Sequence, residues 1–219
     1  GQAPPVFVEL GALDGMTYSN TVALERCFGW RGLLIEANPT NYERLVRSGR
    51  NASMVHAAVC ADGIGHLNVS DGGGPAAKVG KGTKRVPCKP LPTLMAEAGI
   101  ARAAFLSLDV EGAEGVVLET VPHLASAFEF VLMEDDARSR TRSDALGRQL
   151  KEGGMAELLD YPVKNSRVFR ARTEEGRPVL TSLDHAAEAS NAGKSDGLTG
   201  SKTTAAVLVA ATAASKAMR

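Results

Sequence analysis

Short apolar runs, most of them closed by a glycine or an acid and followed by a helix-like stretch, constrain this chain more than any other feature. Residues 6–10 (VFVEL), 32–36 (GLLIE), 53–59 (SMVHAAV), 104–110 (AFLSLDV) and 128–133 (FEFVLM) are apolar, rich in β-branched or aromatic side chains, and of strand length. Ser19 stands where it caps a helix over residues 21–28. Asn38-Pro39 stops the second run and suits the first turn of a helix reaching Ser48. Further helices are predicted over residues 92–98, 113–121 and 143–152, with Gly153-Gly154 as a stop. This order predicts an α/β, Rossmann-like domain with a mostly parallel sheet, right-handed crossovers and helices on both faces. Residues 157–161 and 167–171 are expected to close it as an antiparallel pair.

The alternation fails between residues 62 and 90, where Gly72, Gly73 and Gly74 precede the basic residues Lys78, Lys81, Lys84, Arg85 and Lys89. A hairpin with a mobile loop is expected there. The basic stretch reads as solvated loop rather than an anion clamp, since it has no aromatic residue to stack on a base. From residue 173 onward alanine, serine, glycine and lysine dominate, with little to bury. The expected division is a domain over residues 1–172 and a low-complexity, disordered tail over 173–219. The apolar run 205–211 is far below the roughly 18 residues that suggest a membrane span.

Lysine plus arginine (25) equals aspartate plus glutamate (25), so no net field draws the chain to nucleic acid or an anionic membrane. Cys27, Cys60 and Cys88 lack metal-site or redox-pair spacing. They are expected to be reduced thiols, which favours a cytoplasmic setting. The chain begins at Gly1, so an upstream targeting segment would be invisible to this reading. The sequons at Asn51 and Asn68 are of a kind that arises often by chance.

Ligands of parallel α/β sheets bind at the carboxyl ends of the strands. The first run exits through Glu9-Leu10-Gly11-Ala12-Leu13-Asp14-Gly15, which lacks the G-x-G-x-x-G of a pyrophosphate site. S-adenosylmethionine carries no phosphate. Glu9 suits its α-amino group, and the amides around Gly11 and Gly15 suit its carboxylate; the plainer reading is a tight glycine turn beside an acid. Glu36 ends the second run about 25 residues beyond Gly11, where a carboxylate can accept both ribose hydroxyls.

The strings VFVELGALDGMTYSNTVALERCFGWRGLLIEANPTNYERL, HAAVC and FLSLDVEGAEGVVLETV resemble the FkbM family of methyltransferases, whose usual strings run close to "vEiGAndGvtfSNTlaLE", "GWkGlLIEpnP" and "lkiDvEGaE". The resemblance covers about residues 6–172. It implies a class I methyltransferase fold, S-adenosylmethionine as donor, and an acceptor hydroxyl on a small molecule, glycan or lipid. By the motifs, Glu9, Gly11 and Gly15 fall on the methionine-end turn, Glu36 on the ribose acid, Ala58 and Val59 near adenine, and Asp109 and Glu111 beside the reacting methyl. Leu13 stands where the family often has asparagine, and Ala37 where it often has proline.

Asp109 and Glu111 are two positions apart on an extended segment, so one is expected to position the cofactor and the other to take the acceptor proton. Glu111 would otherwise cap the following helix. Glu134, Asp135 and Asp136 could add to a divalent-metal site with Asp109, but no metal is expected. His56 and Trp30 read as packing residues and His66 and His185 as polar-loop residues. His123 is a weaker candidate base. Two other functions compete: a non-catalytic module that retains the cofactor site, and a nicotinamide-dependent oxidoreductase, which would need the pyrophosphate turn this chain lacks.

Overall fold

Four of the five apolar runs become single strands of one seven-stranded sheet, while residues 53–59 split in two at Ala57. The computed structural model describes residues 3–75, 77–135, 139–160, 163 and 165–172. The tail expected from residue 173, with His185, and also Asp136 lie outside the described residues.

In chain order the elements are β1 (Val6–Leu10), α1 (Val22–Phe28), β2 (Arg31–Glu36), α2 (Pro39–Val46), β3 (Ser53–His56), β4 (Ala58–Val59), β5 (His66–Val69), β6 (Lys84–Lys89), α3 (Leu91–Glu97), β7 (Ala103–Leu108), α4 (Glu114–Glu119), α5 (Leu124–Ala127), β8 (Phe128–Glu134), α6 (Arg140–Glu152), β9 (Met155–Glu157) and β10 (Ser166–Ala171). The large sheet runs β3-β2-β1-β7-β8-β10-β9. Its first five strands are parallel, and β10 is antiparallel to both neighbours. The expected closing pair is present, but its first strand is Met155–Glu157 rather than residues 157–161. Inserting β10 between β8 and β9 leaves only the short β9 at that edge.

The central strands are buried on both faces, so they read as continuous apolar runs rather than alternating ones. Alternation still assigns the faces. Val8, Leu10, Leu33, Ile35, Leu106 and Leu108 join one core with Leu94 of α3 and Val117 of α4. Phe7, Leu34 and Phe105 join the other with Leu24 of α1 and Leu45 of α2. Gly32 is required by this second core, because a Cβ there would lie 2.0 Å from the Phe7 ring. Trp30 is buried in the same cluster, as its packing role predicts.

The irregular stretch forms a second, three-stranded sheet, β4-β6-β5, in which β5 and β6 make the expected hairpin. Parallel pairing of β4 with β6 sets Ala58 opposite Cys88, and Cys60 bonds to Cys88 as a disulfide. This corrects the expectation of three reduced thiols: strand pairing joins two cysteines 28 residues apart, and only Cys27 is a free, exposed thiol. Among the described residues no helix is long and apolar enough to cross a membrane.

Candidate functional site

Register brings the strand ends together. Leu10 lies opposite Ile35 of β2 and Leu108 of β7, so Gly11, Glu36 and Asp109 emerge side by side at the carboxyl edge. There the chain turns from strands on one side of β1 to strands on the other, and a crevice opens at that reversal. The resulting cavity has a volume of about 600 Å³. Glu9, Gly11, Glu36, Ala58, Val59, Asp109 and Glu111 all line it; Gly15 does not.

The two glycines of the first turn serve the backbone. A Cβ on Gly11 would stand 1.8 Å from the Asp109 carbonyl oxygen, and φ is +76°. Only glycine lets this turn cross the end of β7 so closely. Gly15 packs on Leu45 and Ser48, and its carbonyl accepts from Arg50 Nη1 at 2.6 Å.

Glu9 is 2 % exposed, and burial raises its carboxyl above the ordinary range. Its Oε2 accepts from Ser19 Oγ at 2.8 Å and Thr21 Oγ1 at 2.6 Å, and its Oε1 from the Asn20 amide at 2.7 Å. Thr21 rather than Ser19 is the N-cap of α1 and makes no side-chain cap bond, while Ser19 Oγ also accepts the Thr21 amide at 3.3 Å. Behind this cluster Arg50, with no side-chain exposure, donates to Ser19 Oγ, Thr21 Oγ1 and Glu25. Glu9 is therefore bound first of all to its own chain.

Glu36 is held differently. Oε2 accepts the Leu13 amide at 2.8 Å and Oε1 the Asn38 amide at 2.7 Å. The Asn41 side chain and the Ala37 amide also act on this carboxylate. Burial raises this carboxyl too. Asn38 caps α2 by accepting from Thr40 and Asn41, and its Nδ2 donates to the Ser70 and Gly72 carbonyls. Asn41 exchanges two bonds with Gly74. These asparagines bring the glycine run over the cavity, where Gly74, Pro75 and Ala77 join the lining.

At the end of β7, Glu114 holds the turn before α4 by accepting the Val110 and Gly112 amides at 3.3 and 3.0 Å. The N-cap of α4 is Ala113, which makes no side-chain cap bond. One carboxylate oxygen from each of Asp109, Glu111 and Glu134 lies within 4.8 Å of the others. Hard oxygens so grouped can take a proton or a divalent cation. Asp135 instead accepts from Ser143 Oγ. His56 stacks on Tyr42 at 4.8 Å and meets the Ala37 carbonyl, in keeping with packing.

Asn20, Asn38, Asn41 and Arg50 escape the sequence reading as site residues. Asn20 lies within the SNT string of the resemblance, which was the available signal. Arg50 has none, since its partners are 25 to 35 residues away in the chain.

A mostly parallel sheet with a cavity at the reversal of strand order defines a Rossmann-like α/β domain. The sequence matches the Methyltransferase FkbM domain over residues 9–144, more than half of the chain, and the chain belongs to that family. Among solved structures, methyltransferase FkbM from Methylobacillus flagellatus KT is similar with TM-score 0.50 and 12% identity, covering 76% of this chain and 43% of that one; this likeness shows the fold alone. This chain spans less than half the length of that protein. Precorrin-6y C5,15-methyltransferase from Geobacter metallireducens GS-15 gives TM-score 0.37 at 13% identity, over 77% of this chain and 79% of that one. Human methyltransferase 10 domain containing protein gives 0.41 at 10%, over 78% and 72%. No curated protein matches the chain with significant sequence similarity.

Proposed function

We propose that this domain binds S-adenosylmethionine and methylates a hydroxyl oxygen on a small-molecule, glycan or lipid acceptor. The observation that carries the reading is Glu36: a buried carboxylate at the end of β2, held by the Leu13 and Asn38 amides and lining the cavity. A carboxylate so placed suits the hydroxyls of a ribose diol. The first turn has no pyrophosphate-binding glycine pattern, which disfavours a dinucleotide.

Bound there, S-adenosylmethionine supplies an electrophilic methyl on a sulfonium. Glu36 orients the ribose, Ala58 and Val59 form an apolar wall for the adenine, and the Gly11 turn approaches the amino-acid end. Asp109 positions the cofactor, and Glu111 accepts the proton of the acceptor hydroxyl as its oxygen attacks. Direct displacement is accelerated mainly by alignment, and a general base typically adds about 10² to 10⁴-fold. The reading gives Asp109, Glu111 and Glu134 to positioning and proton transfer, so a chelator should leave turnover unchanged.

Calorimetric titration with S-adenosylhomocysteine and with NAD tests the cofactor, and only the first should bind. A mass-spectrometric screen for gain of one methyl then identifies the acceptor. With that acceptor, Glu111→Gln should lower single-turnover rates with cofactor affinity retained, whereas Asp109→Asn should affect both. Full activity in both variants would remove the two acids from the mechanism.

A further inference from the structure

Asn20 is 4 % exposed and lines the cavity. Its amide donates to Glu9 Oε1 and its Nδ2 to Ser107 Oγ at 2.9 Å, but its Oδ1 is buried and has no hydrogen-bond partner among the described residues. A buried carbonyl without a donor is costly, and native structures hold few. The same short segment contains a second unfilled acceptor. Glu9 Oε2 accepts two bonds and Oε1 only one, so a carboxylate with about four acceptor positions uses three.

The neighbouring donors are already engaged. The Ser19 and Thr21 hydroxyls point to Glu9, and Nδ2 of Asn20 points to Ser107. The nearest cation, Arg50, reaches Glu9 through those hydroxyls and not directly. One amide oxygen and one carboxylate oxygen, joined through a single peptide N–H, therefore call for a group with several N–H donors and a positive charge. A primary ammonium is that group.

We infer that Asn20 is a specificity-determining residue: its Oδ1, with Glu9 Oε1, receives the α-ammonium of the cofactor's amino-acid end. This rests on the S-adenosylmethionine reading above. It makes the segment between β1 and α1 the element that separates amino-acid-bearing nucleosides from nucleosides without that end. Asn20 does not touch the transferred methyl in this assignment; it sets where the amino-acid end lies.

The test compares S-adenosylhomocysteine with 5′-methylthioadenosine, a nucleoside thioether lacking the amino-acid end, by calorimetry on the full chain. The wild type should prefer the former. Asn20→Leu should narrow that preference by about tenfold or more, the scale of a hydrogen bond to a charged group, with methylthioadenosine affinity unchanged. Asn20→Asp, which keeps an acceptor, should retain it. Because Asn20→Leu deprives Ser107 of its partner, the double variant Asn20→Leu/Ser107→Ala serves if the single one does not fold. An unchanged preference in a folded variant, or equal weakening of both ligands, overturns the assignment of Asn20 alone. Failure of the wild type to bind either nucleoside overturns the cofactor reading, and this inference with it.

Discussion

Leu13 turns through a left-handed backbone, φ 54°, at the point where Glu36 Oε2 accepts its amide at 2.8 Å. The acid that ends β2 thus also holds the turn that follows β1. Among the described residues four non-glycine positions have left-handed φ, namely Leu13, Tyr18, Glu111 and Asn165, and all four line the cavity. Such conformations cost about 1 to 3 kcal/mol each and persist where surrounding structure imposes them, most often at functional sites.

Leu13→Asn should relieve part of this cost, since asparagine enters the left-handed region more readily than leucine. We expect an unfolding free energy equal to the wild type or higher by up to about 1 kcal/mol. Leu13→Val should lower it, because a β-branched residue is worst suited to this φ. Urea denaturation of the two variants checks the order, and a Val variant as stable as the Asn variant would show that Glu36 does not impose the conformation.

Glu36 gives a pH signature in two opposed directions. Burial raises its native carboxyl above the ordinary 4.5, so the native state takes up its proton more readily than the unfolded chain. Its contribution to stability is fully present below about 4.5 and is lost as pH rises through the raised value. The unfolding free energy of wild type minus that of Glu36→Gln should therefore fall with rising pH across that window. Ligand binding runs the other way: a diol needs both oxygens as acceptors, so affinity for S-adenosylhomocysteine should drop on acidification at a pH above that of an ordinary glutamate. Glu36→Ala should weaken binding by about 1 to 3 kcal/mol. Calorimetry across pH 5 to 8, an interval chosen around the histidine-to-carboxylate range, would refute this if the profile were flat.

Glu157 titrates with the opposite stability sign. Hydrogen bonds from Arg167 Nε and Nη2, at 2.7 and 2.9 Å, hold its carboxyl down at about 2. Its contribution is present above the ordinary 4.5 and is lost as pH falls through about 2. Glu157→Gln should flatten the acid limb of the unfolding profile while leaving ligand affinity unchanged, because the pair joins β9 and β10 away from the cavity. A loss of ligand affinity would contradict that separation.

Arg50 holds Gly15, Ser19, Thr21 and Glu25 at once with a guanidinium that solvent does not reach. Arg50→Met leaves the buried Glu25 carboxylate without its cation, which typically costs about 3 to 5 kcal/mol. Arg50→Lys should also destabilise, since one ammonium cannot reproduce the planar fork. Denaturant unfolding measures both, and a Lys variant as stable as wild type would show that charge alone, and not geometry, holds the turn.

The Cys60–Cys88 bond closes a loop of 28 residues, for which the chain-entropy model gives about 3 to 4 kcal/mol. Reduction, or Cys60→Ala with Cys88→Ala, should lower the unfolding free energy by that order. Adenosine-ligand affinity should fall as well, because Ala58 and Val59 of the stapled strand line the cavity. Equal stability with and without reductant would show that the strand pairing, not the bond, holds β4 to β6.

Strand identity was legible in the sequence because strands buried on both faces need unbroken apolar runs, and VFVEL, GLLIE and FEFVLM have them. The acids at the strand ends were legible for the same reason: a carboxylate closing such a run stands at the sheet's edge, and Glu36 and Asp109 do. What each acid holds was not. Spacing places Glu9 at the turn but does not tell that Ser19, Asn20 and Thr21 engage it, because a buried carboxylate takes the nearest donors that the fold supplies. Arg50 behind those hydroxyls, Glu114 holding the turn before α4, and Cys60 beside Cys88 rest on contacts between residues far apart in the chain or on competition among near neighbours. Side-chain periodicity and motif spacing determine which face a residue occupies; only the packed tertiary structure decides which donor meets which acceptor there.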